Sequence, residues 1–328
     1  MDWLRAAARF FGRTIGWHRL GFILSATIIA VAAVVLYRKL HDINFAKVLT
    51  AMATVEYRDV GKAALFVAAG YFTLTFYDLF ALRTVGRHDV PYRVAALAGF
   101  TSYSIGHNVG ASVFTGGAVR YRIYSAWGLD AIEVAKICFI AGLTFWLGNI
   151  AMLGIGFAWH PEAASAIDQL PEWLNRGLGL SALIVLAGYV AWVWQTPRVV
   201  GRENWKVQLP GGPLTLLQIV IGIVDLGCCA LAMYVLVPNE PQLGFVTVAV
   251  VFVSATLLGF ASHSPGGLGV FDAAMLIALW QYDKEELLAG LLIFRLLYYI
   301  TPFALALGVL GLRELRLSLQ RRRNFERG

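Results

Sequence analysis

The segment Ser262-His263-Ser264-Pro265-Gly266-Gly267 lies between two apolar runs, and Phe114-Thr115-Gly116-Gly117-Ala118-Val119-Arg120 is its counterpart earlier in the chain. Each glycine pair interrupts a stretch otherwise fit for lipid, and a histidine, His107 or His263, precedes each. A bilayer core offers no water to a freed backbone N–H or C=O, so a broken helix there must line a cavity or lie within protein. Two such breaks, one per half, predict a membrane protein with an internal site, as in transporters.

Working outward from these breaks, the composition agrees. Hydrophobic residues make up 59% of the chain and charged residues 14%, against roughly 25% charged in soluble domains. The net charge of +7 gathers near span ends, where it reports orientation and lipid contact. No soluble basic face is left for nucleic acid, so nucleic-acid binding is excluded. Cys138, Cys228 and Cys229 sit in apolar runs with no metal-ligand spacing and read as small packing residues.

Apolar stretches near the length of a crossing fall at 20–37, 62–83, 131–158, 177–195, 214–237, 243–261 and 287–311. Arg5, Arg9, Arg13 and Arg19 precede the first, which reads as an uncleaved span rather than a signal peptide. Three linking segments are basic: Arg83, Arg87, Arg93; Arg198, Arg202, Lys206; and the tail with Arg313, Arg316, Arg321, Arg322 and Arg323. Segment 160–172 carries only acidic charge, and 238–241 has no positive charge. The positive-inside rule places the first three in the cytoplasm and the last two outside, with both termini cytoplasmic. The 38–61 loop conflicts mildly, since parity puts it outside although it carries Arg38, Lys39, Lys47 and Arg58.

Parity also requires 93–127 to enter and leave by the cytoplasmic face, as two part-helices over 93–108 and 117–127. Segment 243–282 must do the same from outside. The expected fold is therefore an all-α polytopic membrane protein built as an inverted repeat of span, span, re-entrant hairpin, span. The first repeat covers 1–158 with hairpin 93–127, and the second covers 177–312 with hairpin 243–282. A basic cytoplasmic tail follows at 313–328. Equivalent positions recur about 150–156 residues apart, as in Gly21 with Gly177, His107 with His263, and Ala131 with Leu287.

Charged side chains inside such spans are costly and mark pathways or partners. Arg120 is the leading candidate, because an arginine fork beside a helix N-terminus suits a phosphate; Arg122 lies nearby, and both have the bland alternative of snorkelling to the cytoplasmic headgroups or pairing with Asp130 or Glu133. Arg295 sits within the last span, with Asp225, Asp78 or Asp272 as candidate partners. Asp78 and Asp225 are lone carboxylates in matching spans, able to take a proton, meet a cationic headgroup or pair with an arginine. For Asp78, exposure beside Arg83 is the plain alternative. His107 and His263 read either as titrating groups or as caps for broken backbone. Gly116, Gly117, Pro265, Gly266 and Gly267 are assigned to the hairpin turns. No metal site, catalytic cluster or cofactor is expected.

Four segments, Ser104-Ile105-Gly106-His107-Asn108, Thr115 to Arg122, Ser262 to Phe271 and Phe294 to Pro302, resemble the transmembrane region of the lysylphosphatidylglycerol synthetase family. The resemblance implies a flippase-like fold that moves aminoacylated phosphatidylglycerol or a related phospholipid between leaflets of the bacterial cytoplasmic (inner) membrane. Two departures stand out. Full-length family enzymes carry a soluble aminoacyl-transferase domain, whereas this sequence stops at Gly328, so synthase activity is not carried over. A glutamate common in the family after the Pro-Gly-Gly turn is replaced by Asp272.

The expected function is thus lipid translocation, with phospholipid as substrate and membrane lipids as surroundings. A proton-coupled transporter of a small solute is one rival. An accessory membrane subunit of a separate lipid-modifying enzyme is another, and a homo-oligomer is compatible with either.

Overall fold

A computed structural model describes residues 43–325 apart from Ala111, Pro197, Glu203 and Asn204, together with Thr27, Ala30, Ala33, Val34 and Tyr37. The expected first span, 20–37, and the arginines before it lie outside the described residues, those five positions excepted. Almost everything described is helical, and five helices are long and apolar enough to cross a membrane. These are α2 (Tyr57–Val85), α5 (Ala131–Trp159), α7 (Glu172–Trp194), α8 (Gly212–Leu236) and a compound helix running from Lys284 to Arg316. They coincide with the expected spans at 62–83, 131–158, 177–195, 214–237 and 287–311.

Local chemistry sets their ends. Gly86, at φ +89°, closes α2: its N–H donates to the Arg83 carbonyl, and the Arg87 N–H reaches back to Leu82. Asp130 and Glu133 form a capping box at the start of α5. The compound helix begins as α11 (Lys284–Arg295), where the Asp283 carboxylate accepts from the Glu285 and Glu286 N–H groups. It loosens into a π turn over Leu296–Ile300 and continues as α12 (Thr301–Phe325). Helix thus extends into the segment expected to be a separate basic tail.

Between these spans lie two broken helices. In the first, α3 (Tyr92–Val109) is followed by α4 (Ser112–Tyr124), then a 3-10 turn over Ser125–Trp127. A Cβ on Gly116 would lie 3.2 Å from the Ser102 carbonyl oxygen; these residues are equidistant from Val109, so α4 folds back along α3. The fold-back falls at Gly110, which corrects the expected turn at Gly116-Gly117. Gly110 takes φ +82°, a conformation that side chains resist, whereas Gly116 and Gly117 lie within α4. Gly116 instead lets α4 approach the backbone of α3.

In the second, α9 (Phe245–Ala261) leads through Pro265–Gly267 into α10 (Val270–Ala278). Here the turn is where the sequence predicts, with Gly266 and Gly267 at φ +60° and +61°.

The two breaks meet. A Cβ on Gly110 would lie 3.3 Å from the Cα of Pro265. Around this junction α2 and α8 lie side by side, and α8 crosses α5 with backbones touching at Gly148 and Gly222. Small residues permit such crossings where lipid supplies no hydrophobic drive between helices. The main core joins α2, α8, α9, α10 and α11 through Tyr77, Phe252, Phe271 and Phe294. A second cluster joins the end of α2 to α3, α4 and α5 around Ile123, Tyr124 and Ile137.

Two short helices and a strand pair were not expected. A short amphipathic helix, α1 (Phe45–Thr54), packs Val48 against Leu288 and Ala289 at the start of α11. Another, α6 (Pro161–Asp168), fills the acidic link and packs on α9. Strands β1 (Val199–Arg202) and β2 (Trp205–Gln208) pair antiparallel, and Val207 is buried in the second cluster, so the all-α expectation needs this one correction.

Candidate functional site

A cavity of about 190 Å³ occupies the junction of the two breaks. From the first break it is lined by Gly106, His107 and Gly110, and from the second by His263, Ser264, Gly266 and Gly267. Asp225 and Cys229 of α8 face it, as do Phe252 and Thr256 of α9 and Tyr298 and Tyr299 of the π turn. Its rim includes Val113 and Phe114, and Phe114 is 80% exposed, so the mouth is apolar. His107, Asp225 and the neighbours His263, Gly266 and Gly267, three places far apart in sequence, therefore share one space.

Two arginine–aspartate pairs flank this cavity. Arg120 donates from Nε and Nη2 to both oxygens of Asp78, at 2.7–3.1 Å. The Tyr124 hydroxyl adds a 2.7 Å bond to Asp78 Oδ2. Asp78 is fully buried and Arg120 is 5% exposed; the guanidinium also lies over the Tyr103 ring, 4.8 Å from its centroid. Arg120 and Tyr124 are four residues apart on α4, which puts both on the face turned to α2. On the other side, Arg295 donates from Nε and Nη2 to Asp272 at 2.9 and 2.7 Å, and from Nη1 to the Gly266 carbonyl at 3.1 Å. Asp272 also accepts from the Gly269 N–H at the start of α10, so one carboxylate caps the helix and holds the arginine.

These pairings settle several alternatives left open by the sequence. Arg120 lies two turns into α4, and its fork is committed to Asp78 rather than lying free at a helix N-terminus. The plain alternatives fail as well: Asp78 is not exposed beside Arg83, Asp130 caps α5, and Glu133 bonds Arg87 at 3.1 Å. Arg122 is outside the cavity; its side chain is 64% exposed and pairs with Glu314 at 2.9 Å. Arg295 chooses Asp272 because that side chain is the one on the adjoining α10. Gly117 lies beside Cys138, away from any turn.

Among the described residues, Asp225 has no such partner. It is 4% exposed, accepts one bond from the Tyr77 hydroxyl at 3.0 Å through Oδ2, and its Oδ1 has no hydrogen-bond partner. His107 is set between Tyr103 and Tyr298, ring centroids 5.6 and 6.2 Å away, with its Nδ1 buried and unpartnered. His263 takes φ +56°, and its Nδ1 lies 3.0 Å from the Ala261 carbonyl, which fits the capping alternative while the residue still lines the cavity. Among the described residues, no three His, Cys, Asp or Glu side chains converge as a metal would require.

Sequence reasoning passed over the tyrosines and one asparagine. A π turn displaces carbonyls from the regular helical ladder. Here the Tyr71 hydroxyl of α2 donates to the Tyr298 carbonyl at 2.9 Å, and Asn108 Nδ2 of α3 donates to the Tyr299 carbonyl at 3.0 Å. The neighbours Tyr77 and Asp78 point to different sides of α2, so one helix serves both Asp225 and Arg120. Only Asn108, a polar amide within an apolar run, carried a local signal. Exchanging Tyr71 for Phe and Asn108 for Leu together is expected to lower stability by roughly 1 kcal/mol per lost bond, read as a lower midpoint of thermal unfolding in detergent.

Similarity to known proteins agrees with this architecture. The Escherichia coli inner membrane protein YbhN is 30% identical over 265 residues, covering 76% of this chain and 80% of YbhN. The chain belongs to the lysylphosphatidylglycerol synthetase family, on the side of its membrane region. An uncharacterised protein of Synechocystis is another family relative, 29% identical over 312 residues, 94% of this chain and 96% of that one. A phosphatidylglycerol lysyltransferase of Staphylococcus haemolyticus is 27% identical over 294 residues, 88% of this chain but 33% of the enzyme. The family member described here thus spans about a third of that lysyltransferase. No family model matches the chain.

Proposed function

We propose that this protein moves a phospholipid between leaflets of a bacterial inner membrane. The observation that carries the reading is the cavity: its inner wall joins both helix breaks and holds Asp225 and His107, while exposed Val113 and Phe114 form its mouth. A polar recess with an apolar doorway suits a headgroup whose acyl chains stay in lipid. Kinship with phosphatidylglycerol lysyltransferases supports phosphatidylglycerol or its aminoacyl ester as the cargo.

In this reading α3–α4 and α9–α10 are re-entrant hairpins entering from opposite faces, and the two halves are inverted repeats that alternate access to the cavity. The basic segments around Arg83, Arg198 and Arg313 face the cytoplasm, as do both termini. The chain itself performs no covalent chemistry on the lipid.

The test is reconstitution of the chain into liposomes with labelled phosphatidylglycerol, and separately with its lysyl ester. Faster leaflet exchange than in protein-free vesicles is expected, by at least several-fold for the true cargo. Thr256→Trp, which fills the cavity, is expected to return exchange to the protein-free rate while thermal unfolding still reports a folded protein. Equal exchange with and without protein, for both lipids, removes the reading for this lipid class.

A further inference from the structure

The buried charges do not balance. Among the described residues, the bundle interior around the cavity holds three carboxylates, Asp78, Asp225 and Asp272, and two arginines, Arg120 and Arg295. Each arginine is bidentate on one carboxylate, with no nitrogen bonded to Asp225. Asp225 is the odd one. A lone carboxylate shielded from water is stable only with a proton or a cation beside it.

Among the described residues, the surroundings of Asp225 hold no fixed cation. From α2 it faces Tyr71 and Tyr77, from α3 Tyr103, from its own helix Cys228 and Cys229, and from the π turn Tyr298. Helices α5 and α9 bring Phe145, Phe252 and Thr256 to the cavity wall, none of which titrates. The Thr73 hydroxyl beside it donates to the Gly70 carbonyl at 2.6 Å. The remaining titratable groups on the wall are Tyr299 of the π turn, His107, whose Nδ1 has no partner, and His263 near the rim.

We propose that Asp225 is a proton-binding site of this cavity and that its proton moves in step with the lipid headgroup. The acid is neutral when the cavity is empty. It releases its proton to water in the cavity as a cationic aminoacyl headgroup enters, whose ammonium favours the carboxylate, and takes one back when that headgroup has left. His107, on the same wall, is a second station for that proton. The coupling rests on the translocation reading above; the proton site does not.

Two measurements separate them. Infrared spectra of the purified full chain in detergent, titrated from mildly acidic to mildly alkaline buffer, are expected to show a protonated-carboxyl band that disappears with rising pH. The band is expected to be lost in Asp225→Asn and displaced in Asp225→Glu, which keeps a carboxyl and guards against a fold defect in the first variant. A spectrum with no titrating carboxyl that responds to either substitution overturns the proton site. In liposomes, an imposed pH gradient is expected to change the lipid exchange rate several-fold in the unmodified protein and to have no effect in Asp225→Asn. An exchange rate indifferent to the gradient in the unmodified protein overturns the coupling. A titrating band with no lipid exchange at all removes the translocation reading and leaves the proton site standing.

Discussion

Asp78→Ala is expected to destabilise the protein by about 3–5 kcal/mol, the usual penalty for leaving a buried charge without its counter-ion. Arg120 is bound by Asp78 through two nitrogens and, among the described residues, has no other carboxylate as a hydrogen-bond partner. Tyr124 loses its acceptor in the same stroke. The pair itself is a different matter from either half. Taking two ions out of water offsets most of their attraction, and apolar replacements of similar volume are often neutral or better. Asp78→Leu combined with Arg120→Met is therefore expected to recover most of the lost stability, short of roughly 1 kcal/mol for the Tyr124 hydroxyl. Thermal unfolding in detergent of Asp78→Ala and of the double variant checks this. A double variant no more stable than Asp78→Ala would mean that α4 is held to α2 by something other than charge pairing. Arg122→Ala, two residues along, breaks only an exposed bond to Glu314 and is expected to leave the midpoint unchanged.

Gly148→Leu is expected to abolish correct assembly of the bundle. A Cβ at that position would stand 2.7 Å from Gly222 Cα and 2.8 Å from its carbonyl carbon, both rigid backbone, so α5 and α8 must part to admit it. Overpacking a core commonly costs about 1–3 kcal/mol, and a backbone-to-backbone crossing has less room to relax than a side-chain core. One turn earlier on each helix, Gln218 Nε2 donates to Thr144 Oγ1 at 2.7 Å, and parting the helices breaks this bond too. Gly142→Leu on the same helix is the control: among the described residues nothing lies within 4 Å of a Cβ there, and the substitution is expected to be tolerated. Monodisperse yield from size-exclusion chromatography distinguishes the two; equal yields would show that the close crossing does not hold the bundle together.

The spans were legible from the chain because crossing a membrane is a local property. A window of about twenty residues either is apolar or is not, and α2, α5, α7 and α8 appear close to where such windows fall. The break at Ser264-Pro265-Gly266-Gly267 was legible for a similar reason: proline lacks an N–H, and glycine accepts the left-handed conformation found at Gly266 and Gly267. The first break was misplaced because two glycine sites stood within seven residues of each other. Composition does not say that Gly110 turns the chain while Gly116 admits a neighbouring carbonyl. The strands at Val199–Arg202 and Trp205–Gln208 are too short for their alternation to stand out beside the long apolar runs.

Sequence by itself therefore determined the membrane class, the positions of the five described spans, the presence of two interrupted helices and the list of charged residues that the bilayer makes conspicuous. The tertiary structure decided which of those charges neutralise one another and which is left over. Asp78 and Arg120 are separated by 42 positions, and Asp272 and Arg295 by 23; whether each pair meets depends on how one helix is rotated and set against the next. Hydropathy adds up along a single helix, whereas an ion pair forms or fails over an ångström or two between helices, and no run of residues read in order contains that distance.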